Sequence, residues 1–549
     1  MLNNKIKYLI INLILLSSFA DASFGQFSIF KLFPSGVNQI EPLIVRHPLN
    51  PQILFASAYT INANASIRNE GVYVSTNGGL NWAGSDVVND GFQQFHNGDP
   101  GPMIDKNGVF IITHFQTFSG QTNRVYSNSS TNLGVNWSAP YTCFPSNDNQ
   151  DKSNIATDDS PASPYYGRSY NLTAILLSPV VIVSSYTNNS GATWKDPFTQ
   201  VNQSFSGRNS FGPSVAVGTQ GTVYVSWAAR INVSPFNERD IGFSKSTNGG
   251  DNWVTTESAY QCNGINTSSL SPWGIRVNSY PSMDIDKSGG ARNGWLYIIT
   301  TEKNLAPAGT DPDVILHRST DGGSTWSAGI RVNQDPINNG KIQLFPALRV
   351  DEDGGLNIVY YDTRNTVTND SLQVYISRSQ DGGTTWRDHK ISNEKYYPGP
   401  VFGGGVGNQG DNIGMTSGAG KLYPVWMARY PGSSVYQIWS AIVDIATIGI
   451  NKISSEIPSG YSLGQNYPNP FNPETRIKYS VPKNSNVFIK LYDIQGKEIS
   501  TLVNDMHTAG TYEVNFSANE ISRVLPSGVY FYKMIADGVS LSRKMLLNK

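Results

Sequence analysis

Histidine, cysteine and charge are all scarce in this chain, and each shortage removes a class of chemistry. Six histidines in 549 residues are too few for a histidine-built metal centre to be the default. Only 15% of residues are charged, and 40 Lys and Arg against 41 Asp and Glu leave a net charge of -1. Nothing in that balance suggests a nucleic-acid or membrane-surface partner. The sequence also lacks a His/Cys/Asp cluster at metal spacing, a phosphate-cradling glycine loop and a Gly-x-Ser-x-Gly elbow. No cofactor is therefore expected, with structural calcium held by loop carboxylates left open. Long apolar runs are missing apart from Tyr8 to Leu16, interrupted by Asn12. That run is too short for a permanent membrane span. It follows Lys5 and Lys7 and precedes Ala20-Asp21-Ala22, the layout of a secretory signal peptide over residues 1–22, cleaved before Ser23.

What is abundant points to strands and tight turns. The chain has 52 Gly, 28 Tyr and 11 Trp, a composition that favours an all-β protein, and its length calls for at least two domains. One stretch recurs. Its cleanest form is Ser319-Thr320-Asp321-Gly322-Gly323-Ser324-Thr325-Trp326, and copies run from Ser75 to Trp82, Ser130 to Trp137, Thr187 to Trp194, Ser246 to Trp253 and Ser379 to Trp386. Asp or Asn closes a side-chain turn on the backbone, Gly supplies a positive φ, and Trp opens the next strand with a large apolar surface. Successive tryptophans lie 55 to 73 residues apart, and a strand-only repeat of that size suits propeller blades. The motif resembles the Asp-box (BNR) repeat of the sialidase superfamily and related β-propellers. Cys143 and Cys262 both follow such tryptophans, on outer strands of non-adjacent repeats, and read as two semi-buried thiols rather than a disulfide.

Each repeat begins with an apolar strand, usually led by Pro, as in Glu41-Pro42-Leu43-Ile44, Gly212-Pro213 and Phe345-Pro346. Its second strands align without gaps, for example at Val225 to Arg230, Val359 to Arg364 and Pro424 to Arg429. The last of these belongs to a seventh unit that stops at Trp439-Ser440, where another turn motif would follow. Its missing fourth strand is assigned to Phe27 to Asn38, which would close the ring with both chain ends and leave no exposed edge. The fold expected is an all-β, seven-bladed Asp-box propeller over residues 23–450; the alternative is six blades with one irregular sheet.

Beyond about Gly460 the character changes. Residues 451–473 read as a Pro/Asn-rich linker, and 474–549 as a small β-sandwich with strands near 475–481, 487–492, 510–516, 528–535 and 544–547. The runs Asn466-Tyr467-Pro468-Asn469-Pro470-Phe471-Asn472-Pro473, Leu491-Tyr492-Asp493-Ile494-Gln495-Gly496, Ser527-Gly528-Val529-Tyr530-Phe531-Tyr532 and Lys544-Met545-Leu546-Leu547 resemble the type A C-terminal sorting domain of the type IX secretion system. The resemblance implies Sec transport, export across the outer membrane by that machinery, and release or surface attachment of the remainder.

In an antiparallel meander the turn motifs share one face, and the second-to-third and fourth-to-first connections share the other. By resemblance, ligands bind on the latter. Arg230, Glu302, Arg364 and Arg429 end second strands toward it, with His114 and Asp362 two residues earlier in theirs; Glu41, Asp99, Asp151 and Asp411 lie in fourth-to-first connections. Three guanidinium groups could clamp a carboxylate, or bridge blades and cap loops. Resemblance to sialidases implies three arginines, a Tyr nucleophile with a Glu, and an Asp acid/base. Tyr361 or Tyr360 with Glu302, and Asp362 in proton transfer, are the nearest matches. The sialidase Arg-Ile-Pro motif is broken here, since Ile40 stands where its Arg would precede Pro42, and Arg46 lies at the wrong end of the strand. Two functions follow: a secreted or surface-attached, monomeric propeller that binds glycans or another extracellular polymer through residues such as Arg230, Arg364, Arg429 and His114, or a sialidase-like glycosidase on acidic sugars.

Overall fold

The computed structural model describes residues 27–62, 68–91, 96–117, 122–203, 207–270, 272–392, 394–401, 409–445, 448, 450–454, 456–507, 509–518 and 525–548. The expected signal peptide lies outside them. The architecture is all-β: six four-stranded antiparallel meanders and a seventh, five-stranded sheet in a ring, followed by a two-sheet sandwich. The first strands of the blades are Asn38–Arg46, Gly101–Ile104, Gln150–Thr157, Arg208–Val217, Ser282–Ile285, Gln343–Val350 and Gly414–Gly418. They pack in cyclic order, the seventh against the first, which closes the propeller.

Closure is made as the repeat pattern requires. In the seventh blade the outer strand is Ile29–Lys31, antiparallel to Gln437–Ala441, with Phe30 opposite Ser440. The junction is reinforced on both sides. Leu32 N–H donates to the Ile438 carbonyl at 2.9 Å, Asn38 Oδ1 accepts from Tyr436 N–H at 2.9 Å, and Gln39 Oε1 accepts from Ile438 N–H at 3.1 Å.

Apolar layers between blades hold the ring together, one per neighbouring pair among the described residues. The turn-motif tryptophan of each blade fills the layer facing the preceding blade. Trp137 meets Phe55 of the first blade at 5.9 Å between ring centroids, and Trp326 meets Phe243 of the fourth at 5.2 Å. The seventh blade carries no such tryptophan, and the layer before it is built instead from Tyr361, Tyr396, Trp426, Tyr430 and Tyr436.

The turn itself is a closed hydrogen-bond circuit. Ser319 Oγ donates to Asp321 Oδ1 at 2.8 Å and accepts from Gly323 N–H at 2.8 Å, while Asp321 Oδ1 accepts from Thr325 N–H at 2.9 Å. The Thr325 hydroxyl, 2.6 Å from Asp321 Oδ2, with the Thr325 N–H and the Ser319 hydroxyl, holds the exposed Asp321 carboxyl down at about 2. Gly323 is obligatory for two reasons: its φ is +84°, and a Cβ there would lie 2.0 Å from the Phe243 ring.

Two departures from the sequence expectation concern the connections. The stretch 451–473 does not hang free: Ile450–Ser454 pairs with Gly510–Ser517, Ser462–Leu463 pairs with Glu474–Val481, and Phe471 is buried in the sandwich core. Proline removes ladder donors only where it stands, and the residues around it still pair. Glu498–His507, a strand the pattern did not reveal, pairs with Ser485–Tyr492. In the propeller, the link from blade four to blade five contains an additional hairpin, Thr267–Leu270 with Ile275–Val277. Both cysteines are buried and unpaired, and burial pushes the Cys143 thiol pKa up, so neither is a reactive thiolate.

Candidate functional site

The first strand of most blades is broken by a bulge at its inner end. Register shifts fall between Ile40 and Leu43, Asp151 and Asn154, Phe211 and Ser214, and Leu344 and Ala347. At these bulges and the matching point of blade two, Glu41, Asp99, Lys152, Gly212 and Phe345 have φ between +50° and +59°. A bulge leaves one residue out of the ladder and re-aims its side chain. Proline follows Glu41, Asp99, Gly212 and Phe345, where its missing N–H costs no ladder bond.

Side chains from the inner strand ends of four blades meet. Ligand oxygens of Glu41, Asp99 and Asp411, from blades one, two and seven, lie within 4.8 Å of one another. Lys152 of blade three places its ammonium between them, 3.2 Å from Asp99 Oδ1 and in direct contact with Asp411 Oδ1. Residues from blades on several sides of the ring touch one another only at its axis. The hairpin supplies a second cation and an amide: Arg276 Nη2 and Asn278 Nδ2 each donate to Asp411 Oδ2 at 3.0 Å. Three carboxylates at this separation are a donor set that suits a hard cation. In this fold the Lys152 ammonium occupies that role.

Burial and charge set the protonation of the cluster. Burial is the largest influence on Glu41, which Asp99 and Asp411 reinforce and Lys152 and Arg276 oppose; its carboxyl is pushed up to about 8. Burial would raise Asp411 as well, but Lys152 and Arg276 outweigh it and hold Asp411 at about 2. Burial and the neighbouring Asp99 raise Asp151. At neutral pH, therefore, Lys152 is paired with an ionised Asp411, and Glu41 is protonated beside them.

This yields a pH prediction with a definite sign. The folded-state pKa of Glu41 lies above its ordinary 4.5, so the native chain binds the extra proton and stability falls as pH rises from about 4.5 to about 8. Glu41→Gln mimics the protonated form. It is expected to match the wild type near pH 5 and to exceed it at pH 9 by on the order of 3 kcal/mol. Urea unfolding of both chains across that range checks this; a stability difference independent of pH would contradict it.

The hairpin lies across the axis above this cluster. It leaves from the junction of blades four and five, yet Trp273 Nε1 donates to the Asp370 carbonyl of blade six at 2.8 Å. Ile275 and Val277 are fully buried in the layer between blades six and seven, beside Phe345 and Tyr396. Beneath the hairpin Glu41, Asp99, Lys152 and Asp411 are all buried. On the opposite side the channel continues as a cavity of about 220 Å³, lined by the first strands of all seven blades. Its charged side chains are ion-paired: Lys287 with Asp159 at 2.6 Å, Arg349 with Asp284 at 3.5 Å, and Arg46 with Glu352 outside the lining at 3.3 Å.

The residues singled out from the sequence are mostly engaged within single blades. Arg364 donates from Nε to Asp362 at 2.8 Å, from Nη1 to Asp388 at 2.5 Å and from Nη2 to the Tyr360 hydroxyl at 3.1 Å, over the Tyr375 ring. Arg230 stacks 4.2 Å from the Phe211 ring centre and Arg429 lies 5.5 Å from that of Tyr436. Each arginine thus rests on an aromatic residue of its own blade. Tyr361 is buried between blades six and seven and donates its hydroxyl to the Met427 carbonyl at 2.8 Å. Burial raises the Tyr361 pKa well above its ordinary value, so a nucleophilic phenolate is strongly disfavoured. Glu302 is buried in blade five, accepting from Thr300 Oγ1 at 2.6 Å, and burial raises its pKa. His114 is fully buried, stacked on His96 at 3.7 Å and bonded through Nε2 to Asn128 at 2.8 Å; burial lowers its pKa. Asp362 meets Arg364, but Glu302 belongs to a separate set of contacts.

Lys152 and Arg276 were not singled out in the sequence. Lys152 stands in a first strand without the Pro signature, and only its alignment with Glu41 as the bulge residue marks it. Arg276 lies in the irregular hairpin, where no repeat position points to it.

Residues 465–548 match the secretion system C-terminal sorting domain family. That tail marks the chain for export by the type IX secretion system, to the cell surface or beyond. A comparison with curated proteins finds no match. Among solved structures, a protein of unknown function from Dyadobacter fermentans is 11% identical, covering 76% of this chain and 99% of its own, with a TM-score of 0.40. An ulvan lyase of a polysaccharide lyase family is 12% identical over 74% of this chain and 94% of its own, with a TM-score of 0.45. The NanB sialidase of Streptococcus pneumoniae is 10% identical over 67% of this chain and 71% of its own, with a TM-score of 0.40.

Proposed function

We propose that the protein is an exported propeller that binds glycan or another extracellular polymer on its connection face without cleaving it. Sec transport through the N-terminal signal and type IX export through the tail deliver it, and the propeller works outside the cell or on its surface. The observation that carries this reading is a buried, ion-paired centre with exposed apolar side chains on the connections around it. The axial carboxylates Asp99 and Asp411 are buried and ion-paired, with Lys152 and, for Asp411, also Arg276. Around them, on connections of blades three to six and the link into blade seven, Leu177, Val233, Phe236, Leu305, Val367 and Tyr397 are exposed. Phe236 is 47% and Tyr397 60% exposed, and an aromatic face in water suits the apolar face of a sugar ring.

Hydrolysis would ask for free guanidinium groups and an ionisable tyrosine within reach of solvent. Arg364 has its donors filled by Asp362, Asp388 and Tyr360, and Tyr361 is sealed in the core, which weighs toward binding alone. The test is a screen of the mature chain against neutral and acidic polysaccharides, with binding and product release measured together. Binding without new reducing or unsaturated ends is expected, and Phe236→Ala combined with Tyr397→Ala is expected to weaken it at least tenfold. Product release above the rate of a heat-inactivated control would overturn the binding-only reading.

A further inference from the structure

A second cavity, of about 310 Å³, opens between blades four and five, lined by Arg208, Arg239, Asp240, Gln261, Cys262, Asn263, Asn304 and Leu305. Arg239, Asp240, Gln261 and Cys262 belong to the outer two strands of blade four or directly follow them, so this cavity is peripheral and separate from the axial cluster. Its walls are fixed. Asn263 Nδ2 donates to the Lys303 carbonyl at 2.6 Å, Lys303 N–H returns a bond to the Asn263 carbonyl at 3.0 Å, and Asn304 N–H donates to the Gly309 carbonyl at 2.6 Å. Cys262, 2% exposed, lies in the wall.

The charges in the cavity do not cancel. Asp240 is committed twice, to Arg208 Nε at 3.0 Å and to Ser258 Oγ at 2.8 Å. Arg239 is exposed, and its guanidinium has no ion-pair partner among the described residues. One guanidinium is thus left over in a polar recess, beside side-chain amides of Gln261, Asn263 and Asn304 and the exposed, apolar Leu305. A volume near 300 Å³ is at the small end of ligand pockets. A planar fork of donors favours an oxyanion, amides suit ring hydroxyls, and Leu305 suits a C–H face.

We propose that this cavity is a subsite for a sugar unit bearing one oxyanion, a carboxylate or a sulfate ester, held by Arg239. The assignment rests on the polymer-binding reading and gives it a ligand class. Among the described residues Arg239 pairs with no carboxylate, so its replacement is expected to leave folding intact.

The experiment is calorimetric titration of the mature chain with an oligouronate, a sulfated oligosaccharide and a neutral oligosaccharide of equal length. At least one charged ligand is expected to bind, and Arg239→Ala to weaken it tenfold or more while leaving the neutral ligand unchanged; Arg239→Lys should fall between. Loss confined to the oligouronate assigns the carboxylate, and loss confined to the sulfated ligand assigns the sulfate. Charged ligands that bind Arg239→Ala as tightly as the wild type overturn the subsite, even where Phe236→Ala and Tyr397→Ala still abolish binding and uphold the rim. Failure of all three ligands to bind the wild type overturns both.

Discussion

Replacing Lys152 with alanine is expected to lower stability by about 3–5 kcal/mol, the cost of breaking a buried ion pair by removing one partner. Its ammonium is the one charge that touches both Asp99 and Asp411, and both are buried. Without it, Asp411 keeps Arg276 at 3.0 Å, whereas Asp99 has no cation within ion-pair distance among the described residues. Two further outcomes separate this account from simple loss of packing. The deficit should shrink as pH falls toward 4, because the orphaned carboxyls can then take up protons. Lys152→Met combined with Asp99→Asn and Asp411→Asn should recover most of the loss, since a neutral set of similar shape avoids the uncompensated charge. Thermal and urea unfolding of the mature chain would measure both. A Lys152→Ala deficit under 1 kcal/mol at pH 7 would show that the axial pairs contribute only as exposed ones do.

The second large effect concerns the strand that closes the ring. A chain beginning at Asn38 lacks Ile29–Lys31 and so leaves Gln437–Ala441 as an open edge. It also loses Leu32, 3% exposed in the layer between blades seven and one. Such an edge is a template for pairing with another chain. The truncated protein is expected to self-associate and to lose its cooperative transition, with early proteolysis in blade seven. Leu32→Ala tests the same junction gently. With the strand kept and only the packing cut, it should cost about 2–4 kcal/mol and leave the chain monodisperse in light scattering. A truncated chain that stayed monodisperse with an unchanged Tm would mean that blade seven holds together without its fourth strand.

Much of this was legible from residue pattern because the physics is local. Ser319, Asp321 and Gly323 complete their turn with one another, so six copies announce six turns and the missing seventh announces the chain's own N-terminus as the closing strand. The Pro-led first strands were visible for the same reason, since proline and the bulge constrain the backbone where they stand. The sandwich followed from its own alternation, as in Glu474–Val481, where inward and outward residues alternate.

The centre was a different matter. Glu41, Asp99 and Asp411 could be placed on the connection face by strand order alone, but nothing local says that they turn onto one axis or that Lys152 rises between them. The contact from Lys152 to Asp411 spans 259 positions, and only ring closure brings those positions together. The same holds for the arginines. Arg230, Arg364 and Arg429 share one repeat position, yet each rests on an aromatic ring of its own blade and Arg364 also on its acids, a preference set by neighbours on adjacent strands. The sequence by itself determined the blades, their closure and the export tail, because turns, strand periodicity and sorting motifs act through short-range geometry. Tertiary structure alone decided that the axis is a buried, ion-paired cluster beneath a hairpin, because charge and burial depend on which distant side chains exclude water together.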